Sequence, residues 1–272
     1  MKIKFFLHLW VLSGFFGCYS YSQVNFLGKK GLMTIPSAQW ERDKPLGLSF
    51  SYFPREYSNN ILLTRDSSPG GNDLNFYSAR VSLTSFMEVG MSISYRPSLA
   101  EQIGIGDRHL DLRFKLMEEK KFFPALVLGW TPPGSVSPAL AHDYLVATKN
   151  FHTTLGLFQV TAGFGSPYVF LKNDGNEGIW NFFKIERKTE VYGSRYLDGF
   201  FGGFSYTPFN YGGLMLEYNT KTFNAGAFVK LWDWLHLQAY TLEAKEVAFQ
   251  VAVQFSLNSA PRALRNYEKN MD

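Results

Sequence analysis

The residues from Val247 to Leu257 put a large apolar side chain at every odd position and a small or polar one at every even position. Successive side chains on a strand point to opposite faces, so these eleven residues carry one apolar face and one wet face. That is the length of a tilted strand crossing a bilayer. The same alternation recurs over 46–52, 77–84, 88–96, 109–116, 122–131, 142–149, 154–164, 197–207, 213–219, 223–231, 235–242 and 246–257. The pattern predicts about 12 strands, within a range of about 10–14.

Alternation alone leaves open which face is inside. A soluble sandwich or barrel buries its apolar face, whereas a membrane barrel turns that face to lipid. Two features favour the membrane barrel. The predicted connections run long (54–74), short (85–86), long (97–106), short (117–121), long (131–141), short (150–153), long (165–196) and short (208–212). Short turns on one side and longer loops on the other are expected of a membrane barrel. Aromatic residues also gather at predicted strand ends: Tyr52-Phe53, Tyr95, Trp130, Phe151, Tyr206 and Trp232-Asp233-Trp234. They suit interfacial girdles. The reading is an all-β, antiparallel transmembrane β-barrel with both termini periplasmic, in the outer membrane of a Gram-negative bacterium. A soluble secreted sandwich is the architectural alternative.

The beginning of the chain reads as an export signal, residues 1–23. Lys2 and Lys4 precede thirteen apolar-rich residues ending at Gly17, and Ser20-Tyr21-Ser22 is a small-x-small triplet. Cleavage is expected before or just after Gln23. Cys18, the single cysteine, offers a competing possibility of lipidation, although Phe15 and Phe16 make a poor lipobox. The barrel is expected over 24–257 with an N-terminal segment 24–45, followed by a polar periplasmic tail over 258–272. No later stretch is apolar enough for a membrane-spanning helix. Aromatic residues make up 17% and charged residues only 18%, low for a soluble domain. The formal charge is +4, and removing Lys2 and Lys4 leaves about +2, too little to imply nucleic acid as a partner.

Several motifs bring a family to mind. Gly31-Leu32-Met33-Thr34-Ile35-Pro36-Ser37-Ala38 resembles the opening motif of the YjbH-type exopolysaccharide biosynthesis proteins. Further matches follow in order. They are Ile105-Gly106-Asp107-Arg108 with Asp111 and Arg113, then Tyr144-Leu145-Val146-Ala147-Thr148-Lys149. Gly202-Gly203-Phe204-Ser205-Tyr206-Thr207-Pro208 comes next, then Leu216-Glu217-Tyr218 and Asn224-Ala225-Gly226. The resemblance covers most of 31–257 and implies an outer-membrane barrel, often a lipoprotein, linked to secretion of an extracellular or capsular polysaccharide. Better-known members are much longer, so this chain resembles one barrel unit of them. Implied partners are outer-membrane lipid, the barrel-assembly machinery (Phe255-Ser256-Leu257 resembles its aromatic-ended signal), an exopolysaccharide and its export proteins.

The candidate site is a lumenal polar track of Arg80, Glu88, Arg96, Asp107, Arg108, Asp111, Arg113, Lys115 and Glu217. Its bland explanation is ion pairing that fills a narrow lumen; its functional one is contact with a glycan. Catalysis has weaker support. His142-Asp143 with Ser135 and Ser137 could mimic a triad, but adjacent strand side chains point apart. The acid pairs Glu186/Glu190 and Glu243/Glu246 are loop charges beside Lys or Arg rather than glycosidase carboxylates. No metal or cofactor motif is present. The expected function is a non-catalytic barrel assisting exopolysaccharide production or export. The alternatives are a general small-solute channel or structural barrel, or a lipid- or glycan-modifying barrel enzyme. At about 12 strands the lumen can be filled by inward side chains or by the N-terminal segment.

Overall fold

The computed structural model describes residues 23–41, 43–54, 73–97, 101, 106–133, 140–172, 183–188, 196–209, 211–232 and 234–256. The strands are β1 (Leu46–Phe53), β2 (Leu74–Ser82), β3 (Met87–Tyr95), β4 (Arg108–Met117), β5 (Ala125–Trp130), β6 (Tyr144–Thr153) and β7 (Gly156–Gly165). There follow β8 (Tyr168–Lys172), β9 (Phe183–Arg187), β10 (Gly199–Phe209), β11 (Gly212–Tyr218), β12 (Phe223–Leu231), β13 (Leu235–Leu242) and β14 (Glu246–Phe255). Sequential strands pair antiparallel, β7 pairs with β10, and β14 returns to β1, so twelve strands close a barrel. Closure leaves no unpaired edge. Among the described residues no helix is long and apolar enough to cross a membrane.

Each of the twelve stretches of alternation coincides with a wall strand. The sequence also places a hairpin inside the 165–196 connection, at 179–183 and 184–192. The structure does carry a hairpin there, pairing β8 with β9, Tyr168 opposite Arg187 and Lys172 opposite Phe183, while 179–182 and 189–192 lie outside the described residues. Ser166 and Pro167 interrupt β7 only briefly, so the backbone resumes an extended course almost at once. The expected tail over 258–272, together with Cys18, lies outside the described residues.

Burial follows the alternation with the polarity of a soluble barrel reversed. On β14, Val247 is 60% exposed and Ala248 beside it is 0% exposed. Gln250 and Gln254 are buried while Phe249 and Phe255 are exposed. On β3 and β4, Glu88, Ser92, His109, Asp111 and Arg113 are buried, and Met91 and Leu110 lie on the outside. The outer surface is therefore apolar and the lumen carries the polar groups.

The two rims differ. At one, short turns join β2 to β3 and β6 to β7; at the other, the longer connections 54–73, 96–107, 131–143 and 166–198 join neighbouring strands. β1 begins and β14 ends at the short-turn rim, where Leu46 pairs with both Phe255 and Val81. Aromatic pairs mark both rims on the outside. Tyr52 stacks on Phe249 at 5.0 Å, Phe164 meets Phe200 at 5.0 Å and Tyr218 meets Phe223 at 4.9 Å near the long-loop rim. Phe158 stacks on Tyr206 at 4.5 Å and Trp232 on Trp234 at 5.9 Å at the short-turn rim. Phe53 departs from the girdle that the sequence suggests. Being one residue beyond Tyr52, it points inward, meeting Phe26 at 4.9 Å and Phe76 at 5.8 Å.

The turn between β13 and β14 carries backbone strain. Glu243 and Ala244 both have left-handed φ values, 54° and 57°, and Lys245 donates its N–H to the Leu242 carbonyl at 3.0 Å. This is the geometry that Asn-Gly adopts most easily, whereas a Cβ is disfavoured there. Ala244→Gly is expected to stabilise the barrel by about 1 kcal/mol. The check is a higher temperature at which the folded band converts to the unfolded one on a denaturing gel.

Candidate functional site: the filled lumen

The chain N-terminal to β1 shows little alternation and does not join the wall. Residues 23–39 are buried throughout, inside the barrel. The segment folds on itself through short antiparallel contacts, Val24 opposite Lys30 and Gly31 opposite Pro36. The Gly31 N–H donates to the Gln23 carbonyl at 3.0 Å and the Ser37 N–H to the Lys30 carbonyl at 2.9 Å. A tight turn at 25–29 holds the first two arms together. Asn25 Oδ1 accepts from the N–H groups of Leu27 and Lys29, both at 3.1 Å. Gly28 has φ +78°, and a Cβ there would lie 2.5 Å from Ser78 Cβ on the wall, so only glycine fits.

A buried backbone needs partners, and the barrel wall supplies them from its wet face. The carbonyls of Val24 and Asn25 accept from Gln238 at 2.9 Å and Gln250 at 2.6 Å. Those of Phe26 and Leu27 accept from Ser51 and Ser92, each at 3.0 Å. The Ala38 N–H donates to Thr148 Oγ1 at 2.8 Å. Glu217 makes the densest contact. Its carboxylate accepts from the N–H groups of Met33 at 2.9 Å and Thr34 at 2.8 Å, and from the Thr34 hydroxyl. Asn224 donates to the same carboxylate at 3.0 Å and fixes its orientation. The Leu32–Ile35 turn of the opening motif is thus seated on Glu217, while Tyr196 donates to the Thr34 carbonyl at 2.6 Å.

The charges form two connected groups. Glu88 bridges Arg80 at 2.8 Å and Arg113 at 2.6 Å. Arg113 also donates to the carbonyls of Ser37 at 2.7 Å and Gln39 at 3.3 Å, tying this ion triad to the inserted segment. Gly47 makes room for the Arg80 guanidinium and Gly90 for the Asp111 carboxylate, since a Cβ at either would lie within 3 Å of those groups. The second group centres on the inserted lysines. Lys29 lies 3.2 Å from Asp111 and contacts His142, while Lys30 pairs with Glu41 and donates to Gln254 at 2.8 Å. Burial lowers the Lys29 amine to about 8 and the Lys30 amine to about 7. Asp111 opposes the fall for Lys29 and Glu41 for Lys30.

Of the track expected from sequence, Arg80, Glu88, Asp111, Arg113 and Glu217 are brought into the lumen. Lys115 sits lower on β4, pairing with Glu118 at 2.6 Å and lying 5.5 Å from the Trp40 ring centroid. Arg96 and Asp107 lie at the long-loop rim, partly buried, and Arg108 is exposed there. The parity of β4 turns Arg108 outward, because His109, Asp111 and Arg113 take the inward positions. Cys18 lies outside the described residues. The sequence reading did not single out Lys29, Lys30, Ser51, Ser92, Gln238 or Gln250. The glutamines were visible as large polar groups on the wet face, but their partners were not.

The lumen also contains an apolar half. Leu27, Leu32, Met33 and Ile35 share a buried cluster with Phe26, Phe53, Phe76, Tyr196, Tyr240, Val127, Val146, Phe201, Met215 and Phe228. The inward apolar residues of β5 and β6 have a reason once the segment is in place, because they face its apolar side chains rather than water.

The suggested triad is not assembled among the described residues. His142 is held by the Leu140 carbonyl at 2.5 Å and stacks on His109 and Tyr144, whereas Asp143 accepts from the Thr131 N–H at 2.7 Å. Ser135 and Ser137 lie outside the described residues. Glu186 pairs with Lys184 and Glu243 with Lys245, while Glu190 lies outside the described residues. Among the described residues no group of three or more His, Cys, Asp or Glu is placed to hold a metal ion.

No curated protein matches the chain. The family model described as exopolysaccharide biosynthesis protein YbjH matches residues 23–271. It therefore spans the inserted segment, including the motif seated on Glu217, and the whole described barrel. The chain belongs to the YjbH exopolysaccharide biosynthesis family.

Proposed function

We propose that this chain is an outer-membrane barrel, closed by its own N-terminal segment, that assists production or export of an exopolysaccharide without catalysing a reaction. The observation that carries the membrane part is the reversed polarity of the wall. A closed barrel with Leu48, Leu110, Leu145, Leu216, Val247 and Phe249 outside and Arg80, Glu88, Asp111, Arg113, Glu217 and Gln250 inside is unfavourable in water and matched to lipid. Aromatic pairs at both rims fit the two interfaces. The short-turn rim then faces the periplasm with both ends of the barrel, and the long connections face outward.

The glycan part rests on family membership. A polar lumen next to buried aromatic residues suits a chain of sugars in transit once the inserted segment moves. The filled lumen argues against a general open channel as the resting state.

The first test is envelope fractionation with boiled and unboiled gel samples, then deletion of the gene. Recovery in the outer membrane with a heat-modifiable band, and reduced surface polysaccharide in the deletion strain, are expected. A soluble or unshifted protein would overturn the membrane reading. Unchanged polysaccharide would overturn the glycan role alone.

A further inference from the structure

The expected cut after Ser20-Tyr21-Ser22 would create a new α-amine on Gln23, a residue only 2% exposed inside the barrel. That residue is pinned rather than loosely placed. Its carbonyl accepts from Gly31, and the next residue pairs with Lys30 and is held by Gln238. A free α-amine is mostly protonated at neutral pH, and a buried ammonium needs a matched anion. Among the described residues no fully buried carboxylate is left over to match it. The buried charged groups among the described residues are six cations, Lys29, Lys30, Arg80, Arg113, Lys188 and Lys230, against three carboxylates, Glu88, Asp111 and Glu217. Glu88 already holds two arginines, Asp111 holds Lys29, and Glu217 is filled by the amides of the inserted segment.

We propose that Gln23 becomes the first residue and is cyclised to pyroglutamate before the segment enters the barrel. The α-amine nitrogen attacks the side-chain amide carbon, a nitrogen–carbon bond forms, and the bond from that carbon to Nε2 breaks. The amide nitrogen takes a proton from the attacking amine and leaves as ammonia. The step consumes no oxidant or reductant. It replaces a cation and a flexible amide by a neutral five-membered lactam that is smaller than the original side chain. Burial of residue 23 then carries no charge penalty, and the ring is ordered before insertion.

The test is mass spectrometry of the N-terminal peptide from protein purified out of the envelope. A synthetic, isotopically labelled peptide beginning with the same glutamine is carried through the preparation. The expected peptide starts at residue 23, is lighter than the uncyclised form by one ammonia, and is cyclised well beyond the labelled control. A free Gln23 amine, a start at Val24, a lipid-modified start at Cys18, or cyclisation equal to the control would each overturn the proposal. The Gln23→Ala variant keeps a small residue after the cut but cannot cyclise. Its inserted segment is expected to be cleaved several-fold faster by added protease than in the natural protein, with the heat-modifiable barrel intact. Equal protection of the segment would refute the charge argument.

Discussion

Removing residues 24–39 is expected to turn a closed barrel into a conducting one. These residues occupy the lumen and take up the hydrogen bonds of Ser51, Ser92, Thr148, Glu217, Gln238 and Gln250. Without them those groups would face water, which can satisfy them, so the wall keeps its register while the lumen fills with solvent. The natural protein should show no resolvable steps in a planar bilayer, and the deleted form discrete ones. Cells carrying the deletion should take up a large polar antibiotic at a several-fold higher rate. Glu217→Ala is the milder version and guards against misfolding of the deletion. It strips the acceptor from the Met33 and Thr34 N–H groups, at about 1–3 kcal/mol for each buried amide left unmatched. Flickering conductance and faster proteolysis of the segment are expected, with Glu217→Gln intermediate because one oxygen acceptor remains. A deletion protein that stays closed in its folded, heat-modifiable form would show that the segment is not the seal.

The wall was legible in the sequence because lipid and lumen impose opposite demands at every second residue. Along 246–257 each position obeys one demand or the other, so strand, face and approximate ends can be read directly. The inserted segment obeys neither. Its order depends on partners far away in the chain, such as Glu217 for Met33 and Thr34, or Arg113 for Ser37. The motif at 31–38 marked the segment as special without revealing where it sits. Alternation also weakened where the lumen is apolar. Ala125-Leu126-Val127-Leu128 reads as greasy on both faces, since Val127 faces the inserted segment while Leu128 faces outward. Of the polar track, Arg108 was grouped with Asp111 and Arg113 through the motif they share, although the parity of β4 places it on the opposite face. Parity could not show that Asp111 serves a lysine of the inserted segment rather than an arginine on the next strand. Lumenal pairs across strands were readable in principle, but pairs between wall and insert were not.

Glu88→Ala is expected to destabilise the barrel by about 3–5 kcal/mol, the cost of leaving a buried charge without its partner. Here the loss falls on two cations, because Glu88 joins Arg80 to Arg113 and all three are buried. The two arginines differ in what else they hold. Arg113 reaches the carbonyls of Ser37 and Gln39 and lies 5.5 Å from the Trp40 ring centroid. Arg113→Met should therefore loosen the inserted segment as well as the wall, whereas Arg80→Met leaves the hydrogen bonds of the segment in place and removes a like charge that acts on Lys30. The pair Arg80→Met with Glu88→Gln removes one charge of each sign and should cost less than Glu88→Ala. Urea unfolding in detergent, read by the fraction of heat-modifiable band, gives each difference, and protease sensitivity of residues 23–39 separates the two arginines. A loss below about 1 kcal/mol for Glu88→Ala, the range of an exposed pair, would mean that water reaches the triad. The lumen would then be wetter than its packing implies, and the seal would rest on the Glu217 seat and the apolar half of the insert.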